Sequence, residues 1–171
     1  MSLPDVIRGA PDRAGHLLGR YRGEVLDVDD PKSIGRIKVK VPEVLGDVDS
    51  GWALPSFAAS GDGSGIYAIP PTGAGVWVEF EAGDPGRPIW TGGWHKDGAL
   101  PTDATPKKFV IQTPGGHTLT LDDDGTKLEI KESGGNTITM NSDGIELKVG
   151  GQKVMIGSSS VKINDGALEV T

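Results

Sequence analysis

Few side chains in this sequence are placed to bind a metal ion or to transfer a proton. The three histidines, His16, His95 and His117, lie far apart and lack the spacing of metal ligands. We therefore predict that none of them binds a metal within one chain. The symmetry axis of an oligomer would gather copies of one histidine, and His117 is the best candidate for such a site. The sequence has no cysteine, which excludes disulfides, a cysteine-zinc site and a thiol nucleophile.

Acidic side chains raise two further possibilities. Residues 122–125 read Asp-Asp-Asp-Gly, and calcium prefers oxygen ligands. The rest of an EF-hand pattern is absent and Asp-Gly favours a hairpin turn, so we predict a turn there. Glu79 and Glu81 would point to the same side of a strand, which leaves a glycosidase pair open without other support. No nucleophile and base have suggestive spacing, and we predict no catalytic residue, cofactor site or metal site.

Two patterns are compatible with nucleotide binding, and both have a simpler interpretation. Gly61, Gly63 and Gly65 lack the Gly-Lys-Ser/Thr sequence and the following helix of a phosphate loop, so we predict a flexible loop. Tryptophans stack on bases in some OB folds, but this chain has a net charge of −7, which disfavours a nucleic-acid partner. We therefore expect core or subunit-interface packing for all four: Trp52, Trp77, Trp90 and Trp94.

The elements that must position these residues are strands. Residues 1–18 have no clear period and predict an arm that orders only against a partner, or not at all. Within residues 19–95, about five strands are predicted by period-two alternation and by turns at Gly, Asp and Pro. They lie near residues 20–28, 35–41, 52–55, 75–81 and 88–94. Without a convincing helix, this half of the chain predicts a small closed or partly open barrel.

Residues 96–108 are polar, contain two prolines and predict a linker or collar that is too short to fold alone. The sequence has no run of 18 apolar residues, and residues 1–5 lack the charged and apolar regions of a signal peptide. We therefore expect the chain to be made as a soluble cytosolic protein.

Residues 109–171 repeat one pattern, a strand core of two apolar residues around a central residue. Gly, Asp, Asn and Ser turns separate the cores about every 7 to 10 residues, and the central residue is polar in all but the Met155 strand. Alternation puts the apolar side chains of each strand on one face. The predicted cores are residues 119–121, 128–130, 138–140, 145–149, 154–156, 161–163 and 168–170.

No helix is available to cover this apolar face, and a lone chain would leave it in water with its strand edges unpaired. Several chains wound around a common axis would bury the faces and give each strand neighbours from the other chains. The residues themselves do not set the number of chains at three, and a single-chain solenoid would need longer coils. The side chains expected on the outside are Thr120, Asp122, Glu129, Lys131, Thr139, Asn141, Glu146, Lys148, Lys162 and Glu169.

The order of motifs in residues 20–95 resembles the OB-fold domain in the central spike of contractile injection machines. This family includes phage baseplate assembly protein V, the needles of contractile-tailed phages and the VgrG proteins of type VI secretion. The motifs are GRIKVKVP at residues 35–42, WA at 52–53, IPPTGAGVWVEFEAGDP at 69–85, Pro88 and Gly92. GHTLTLDD at residues 116–123 resembles the start of the family's triple-stranded β-helix.

The resemblance implies an all-β homotrimer, with an N-terminal OB-fold barrel followed by an intertwined, trimeric triple-stranded β-helix over residues 109–171. It implies a non-enzymatic spike that joins a baseplate hub to a membrane-puncturing tip, assembled into a virion tail or tail-like particle and driven outward on contraction. The arm and linker leave no room for the hub domains of VgrG or for a needle lysozyme, so we expect the hub to be a separate trimeric protein. The last histidine is His117, so a His-x-His tip iron site is not expected, whereas a separate PAAR-type tip protein fits.

Two other functions remain open at this point. One is an OB-fold module that binds single-stranded nucleic acid and oligomerises through the C-terminal repeats. The other is a cell-wall hydrolase or a carbohydrate-binding tip.

Overall fold

The described residues form an almost entirely β protein in two compact units. A computed structural model describes residues 16–171, and its units divide between Gly98 and Ala99. We call them the N-terminal and C-terminal units. The predicted all-β class, with an OB-like barrel before a β-rich C-terminal domain, is confirmed. The predicted arm lies outside the described residues except for its last three, of which Leu17 packs against the N-terminal core.

The N-terminal unit is a five-stranded curled sheet of the OB type, in the order β2-β1-β6-β7-β3. An antiparallel bridge between Ile37 and Ala53 joins the segments that lead into the two edge strands, so the sheet curls towards closure. Its strands, with a separate hairpin formed by β4 and β5, are β1 Tyr21–Asp27, β2 Lys38–Lys40, β3 Leu54–Pro55, β4 Ser60–Gly61, β5 Ser64–Gly65, β6 Gly75–Phe80 and β7 Pro88–Trp94.

Two local elements differ from the predictions. The loop predicted around Gly61 and Gly65 contains the β4–β5 hairpin, because paired backbone groups stabilise this Gly-Ser segment although it has few apolar side chains. A short helix, α1, spans Pro42–Leu45. Pro42 starts this helix, because proline suits the first helical turn, where its missing N–H is not needed.

Alternation along the strands builds the N-terminal core. In β6, Val76, Val78 and Phe80 are buried, whereas Trp77 and Glu79 between them are half-buried on the other side. This is the period of two expected when one face of a sheet is covered. The buried apolar set is Val25, Ile37, Val39, Val41, Ala53, Val76, Val78, Phe80 and Trp90.

Asp30 organises the turn that enters β2. Its carboxylate accepts hydrogen bonds from the backbone N–H groups of Lys32 (3.0 Å), Ile34 (2.9 Å) and Arg36 (3.1 Å). The guanidinium of Arg36 adds an ion pair at 2.5 Å. The Arg36 guanidinium, followed by the three N–H donors, holds the pKa of Asp30 far below its ordinary value.

We predict that Asp30 makes the N-terminal unit sensitive to acid. A carboxylate whose pKa is lowered by folding adds stability above its unfolded pKa of about 4, and this stability is lost as pH falls towards the folded value. Unfolding followed by tryptophan fluorescence should therefore show a falling free energy of unfolding below about pH 4. Asp30→Asn should lower stability at neutral pH and flatten this dependence. The control Asp29→Asn, at an exposed neighbour, should resemble the wild type, and an unchanged acid slope in Asp30→Asn would contradict the assignment.

The C-terminal unit is one eight-stranded sheet in which every strand pairs with its neighbours in sequence, from β8 to β15. All of its pairs are antiparallel. The strands are β8 Lys108–Gln112, β9 Thr118–Asp122, β10 Lys127–Lys131, β11 Thr137–Asn141, β12 Gly144–Val149, β13 Gln152–Ile156, β14 Val161–Ile163 and β15 Leu168–Val170.

This pairing differs in one respect from the predicted winding. The hydrogen-bonding neighbours of each strand come from the same chain, whereas the prediction places them in other chains. The physical reason is the length of the turns, because short Gly-, Asp- and Asn-rich connections close hairpins locally. The backbone hydrogen bonds between neighbouring strands of the C-terminal sheet therefore form within one chain. The apolar side chains of the sheet remain for other copies of the chain to cover.

Gly144 is required where β11 turns into β12. Its φ is +134°, and a Cβ atom there would lie 2.0 Å from the carbonyl oxygen of Ile156. Gly144→Ala should therefore destabilise the C-terminal unit by about 2 kcal/mol, measured as a lower melting temperature by circular dichroism. Gly151→Ala is the matched control, since a Cβ atom there meets nothing within 4 Å. Equal melting temperatures for the two variants would refute the prediction.

Candidate functional site

One face of the C-terminal sheet consists of two parallel columns of apolar side chains. The backbone register places Ile138 opposite Leu147, and Leu147 opposite Val154 on the next strand. The first column is Ile111, Leu119, Ile130, Ile138, Leu147, Val154, Ile163 and Leu168. The second is Phe109, Leu121, Leu128, Met140, Ile145, Ile156, Val161 and Val170. We call these columns the apolar face.

The apolar face is open to solvent in a single chain. Phe109 is 60% exposed, Leu147 42% and Val170 62%, so exposure extends from the first strand to the last. Soluble monomers rarely expose a continuous apolar surface that runs through a whole domain. The geometry therefore indicates a surface that is buried by association.

The opposite face of the same sheet is polar. Its central column runs through Thr120, Glu129, Thr139 and Glu146, which alternate along their strands with the apolar residues. Two apolar residues lie in the same column, Val110 at its start and Met155 between Glu146 and Lys162. The polar members of the column belong to the outward set predicted from the sequence, and the sheet therefore has one mainly polar face and one apolar face.

Ion pairs and capped turns fix the polar margins of the sheet. Asp122 lies 3.3 Å from Lys108 and accepts the N–H of Gly125 at 2.9 Å. The Gly125 hydrogen bond first, and then Lys108, hold the pKa of Asp122 below its usual value. At another turn, Asp165 lies 2.5 Å from Lys153 and raises the pKa of this lysine. The Asp-Asp-Asp-Gly segment thus forms a turn, as predicted. The hydrogen bond of Asp122 with Gly125 and its ion pair with Lys108 stabilise this turn.

The three histidines are all exposed. His117 is in the turn before β9, where its Nδ1 atom accepts the N–H of Ser133 at 3.3 Å. It therefore lies at a margin of the sheet, beside a second turn, and outside the two apolar columns. Among residues 16–171, no group of three or more His, Asp or Glu side chains is arranged to hold a metal ion.

Trp90 and Trp52 have structural surroundings. Trp90 is 5% exposed in the N-terminal core, and its Nε1–H donates to the carbonyl oxygen of Gly35 at 3.1 Å. Trp52 lies under two cations, with the Arg36 guanidinium 5.5 Å and the Lys38 ammonium 4.7 Å from the ring centre. Such cation–π contacts stabilise a ring without a ligand.

Trp77 and Trp94 flank one arginine. The Arg22 guanidinium is 5.9 Å from the ring centre of Trp77 and 5.2 Å from that of Trp94. The Nε1–H of Trp94 also donates to the carbonyl oxygen of Val76, so the ring is fixed on the sheet. Both tryptophans are half-buried.

The two candidate carboxylates bind different arginines. Glu79 lies 2.6 Å from Arg20, and Glu81 lies 2.6 Å from Arg87. Glu81 also starts a 3₁₀ turn, Glu81–Gly83, instead of continuing β6. The two carboxylates are therefore engaged in separate ion pairs.

One part of the apolar face is not among the predicted strand cores. Phe109 and Ile111 lie on β8 opposite Leu121 and Leu119, and they extend both apolar columns by one strand. The sequence carries a signal for them, since residues 109–111 are three consecutive apolar residues. Because Val110 between them is also apolar, this strand lacks the apolar–polar alternation that predicts most of the other strands.

Comparison with protein families agrees with both units. Residues 21–95 match the type VI secretion system/phage-baseplate injector OB domain, and residues 108–169 match the phage baseplate V C-terminal trimerisation domain. No curated protein matches the chain significantly. Within the described residues, no helix is long and apolar enough to cross a membrane.

The two matches define the class of protein, a baseplate protein with an injector OB domain and a C-terminal trimerisation domain. The chain belongs to the phage baseplate V family, which also includes the VgrG-like spikes of injection systems. It is a baseplate component of a phage or of a type VI-like system, and its C-terminal domain supports self-association as a homotrimer.

Proposed function

We propose that this chain is a non-enzymatic, homotrimeric central spike that joins the baseplate hub of a contractile tail or injection system to the membrane-puncturing tip. The observation that carries the proposal is the apolar face of the C-terminal sheet, which is exposed along all eight strands and has a mainly polar face behind it. Two sheets could also bury such faces against each other. The match to a trimerisation domain favours an assembly of three chains over a pair.

Three such sheets would form a stiff triangular prism. Each chain contributes eight strands, and seven spacings of about 4.8 Å give a rod about 34 Å long. The ladders of backbone hydrogen bonds would run along this rod, and the apolar columns of three chains would interdigitate at its axis. Close-packed interiors resist compression, so the rod would transmit an axial push.

The proposed partners follow from this arrangement. A separate trimeric hub protein would bind at the OB-fold end, and a PAAR-type tip protein would bind at the C-terminal end. The target-cell membrane would be a transient partner during puncture. The chain would be made in the cytoplasm, assembled into a tail baseplate and delivered outward on contraction. No nucleic acid, metal or cofactor is part of this proposal.

The deciding experiment is the mass of the purified chain by light scattering at micromolar concentration, with and without SDS at room temperature. We expect three times the 17.8 kDa of one chain, because the apolar face is exposed among the described residues 16–171. A monomer without SDS would overturn the proposed function. Persistence of the trimer in SDS would show that the interface resists detergent, as a close-packed prism should.

Two further assays separate the alternative functions. Retention of a labelled single-stranded oligonucleotide at physiological salt would favour the nucleic-acid-binding module. Clearing of peptidoglycan in a zymogram would favour a cell-wall hydrolase. The spike proposal expects neither result.

A further inference from the structure

The two long margins of the C-terminal sheet carry different charged side chains. Successive turns lie at opposite margins, because the strands are antiparallel and pair in sequence order. One margin carries the turns at residues 113–117, 132–136, 150–151 and 164–167, and the other carries those at 123–126, 142–143 and 157–160. Lys131 and Lys148 lie near strand ends at the first, which we call the lysine margin. Asp124 and Asp143 lie in turns of the second, which we call the aspartate margin.

Lys131 and Lys148 lie in one column on the polar face of the sheet. The register places Lys131 opposite Thr137, and Thr137 opposite Lys148, and both lysines are exposed. Within residues 16–171, neither lysine forms an ion pair in its own chain. The same holds, among these described residues, for the carboxylates of Asp124 and Asp143.

Three-fold symmetry would bring the two margins together at matching heights. In the proposed prism, the lysine margin of each chain lies beside the aspartate margin of the next, and rotation about the axis leaves the height of every residue unchanged. Lys131 is on β10, and the turn with Asp124 joins β9 to β10. Lys148 is on β12, and the turn with Asp143 joins β11 to β12. The backbones of each such pair therefore differ in height by about 2.4 Å, half a strand spacing.

Other charged side chains at these margins pair within their own chain, at levels where a neighbour would supply no opposite charge. Lys153 on β13 lies 2.5 Å from Asp165, and the aspartate margin at that level is the Gly-Ser-Ser-Ser turn of residues 157–160. Asp122 lies 3.3 Å from Lys108, and the lysine margin has no lysine at the level of β8 and β9. The two lysines without an ion pair in the described part of the chain are thus those that a neighbour at equal height would pair.

The apolar columns alone do not set the relative heights of the chains, because successive strands contribute similar pairs of apolar side chains. A shift of one chain by two strands along the axis would keep most of the apolar contacts. It would bring Lys131 level with Asp143 of the neighbour but leave Lys148 level with the serine turn at residues 157–160. Both lysines meet a carboxylate only without a shift, which is also the arrangement that closes a ring of three chains.

We propose that ion pairs between the lysine margin of one chain and the aspartate margin of the next hold the three C-terminal units at equal height. The pairs are Lys131 with Asp124 and Lys148 with Asp143. The partner is a second copy of this chain, and the inference rests on the homotrimer of the proposed function. Exposed ion pairs contribute little to stability one by one. Their role here is to select the closed, unshifted trimer over staggered assemblies that bury the same apolar columns.

Cross-linking tests which margins are neighbours, on a clean background because the chain has no cysteine. Lys148→Cys and Asp143→Cys are combined in one chain and treated with a short bismaleimide. The two positions lie at opposite ends of β12, about 17 Å apart, which is too far for the reagent to span within one chain. Only two chains at equal height can be joined through them, and we expect covalent trimers on a denaturing gel.

Two controls match this design. Either cysteine alone supplies only one margin and should give few cross-links. Lys131→Cys with Ser159→Cys supplies both margins, but at heights that differ by about 17 Å, or three and a half strand spacings. This shifted pair should also give few cross-links.

Charge exchange gives an independent test of the Lys148–Asp143 pair. Lys148→Glu and Asp143→Lys each place like charges at the same height, and each should lower the melting temperature of the trimer at low salt. The double variant restores an opposite pair in exchanged positions and should recover at least about half of the summed loss. Because the two positions are far apart within one chain, such coupling requires two chains. Strictly additive losses would contradict the ion pair.

Light scattering separates this proposal from the proposed function. A monomeric wild type would overturn the spike and with it the trimer. A trimeric wild type in which the equal-height cysteine pair cross-links no better than the shifted pair would overturn only the ion pairs between the margins.

Discussion

Replacing Leu147 with aspartate is expected to convert the homotrimer into monomers. Leu147 lies in the middle of the first apolar column, opposite Ile138 on one side and Val154 on the other. A trimer would bring three carboxylates into one apolar layer. Burying a charge without a partner costs several kcal/mol per chain, whereas the same carboxylate in a monomer is in contact with water. Light scattering at micromolar concentration should show the mass of a single chain.

Thr137→Asp is the matched control for this substitution. It adds the same charge to the adjacent strand, but on the polar face, where Thr137 lies between Lys131 and Lys148. We expect this variant to remain trimeric and to melt close to the wild type. A trimer that survives Leu147→Asp would show that the apolar columns do not face its axis. Dissociation of both variants would mean that the trimer tolerates an added negative charge on neither face of the sheet.

Trp90→Ala is expected to unfold the N-terminal unit under conditions in which the C-terminal unit remains folded. The substitution removes a ring that is 5% exposed, its edge-on contact with Phe57 and its hydrogen bond to Gly35. Large-to-small changes of this kind destabilise a domain by about 3–5 kcal/mol. All four tryptophans of the chain lie between residues 52 and 94. The fluorescence of the remaining three therefore reports on this unit alone during denaturation with urea.

Trp90→Phe separates packing from hydrogen bonding at the same position. It keeps most of the ring but leaves the Gly35 carbonyl oxygen without its donor, which should cost about 1–2 kcal/mol. We expect the midpoint of this variant to fall between those of Trp90→Ala and the wild type. A midpoint for Trp90→Ala close to that of the wild type would mean that Trp90 is not a core residue.

Much of the fold can be predicted because alternation is a local property of the sequence. Alternation predicts a strand from Gly75 to Glu81, and β6 spans Gly75–Phe80. The apolar–polar–apolar cores of the C-terminal repeats indicate the correct face for their side chains, and the lack of any helix to cover that face indicates its exposure. Local patterns of residues therefore predict association and most of the side chains that carry it.

Other features depend on contacts that a single sequence does not display. Pairing of each strand with its neighbour in the same chain depends on whether the turns close locally. The β4–β5 hairpin is not predicted because Ser and Gly leave no apolar period, and its exposed neighbours Ile66 and Tyr67 carry no pattern of their own. The number three comes from the resemblance and the trimerisation domain, since an apolar face alone fits two chains as well as three.

The sequential antiparallel order of the C-terminal sheet also determines how the length of the proposed trimeric rod can change. Adding or removing one strand reverses the direction of the chain and exchanges the margins at which all later turns lie. Adding or removing a hairpin of two strands preserves the direction, both margins and the alternation of the two faces. Rod length in this architecture therefore changes most readily in steps of about 10 Å, or two strand spacings. Proteins of different reach can arise from this fold by gain or loss of whole hairpins, without redesign of the interface between the chains.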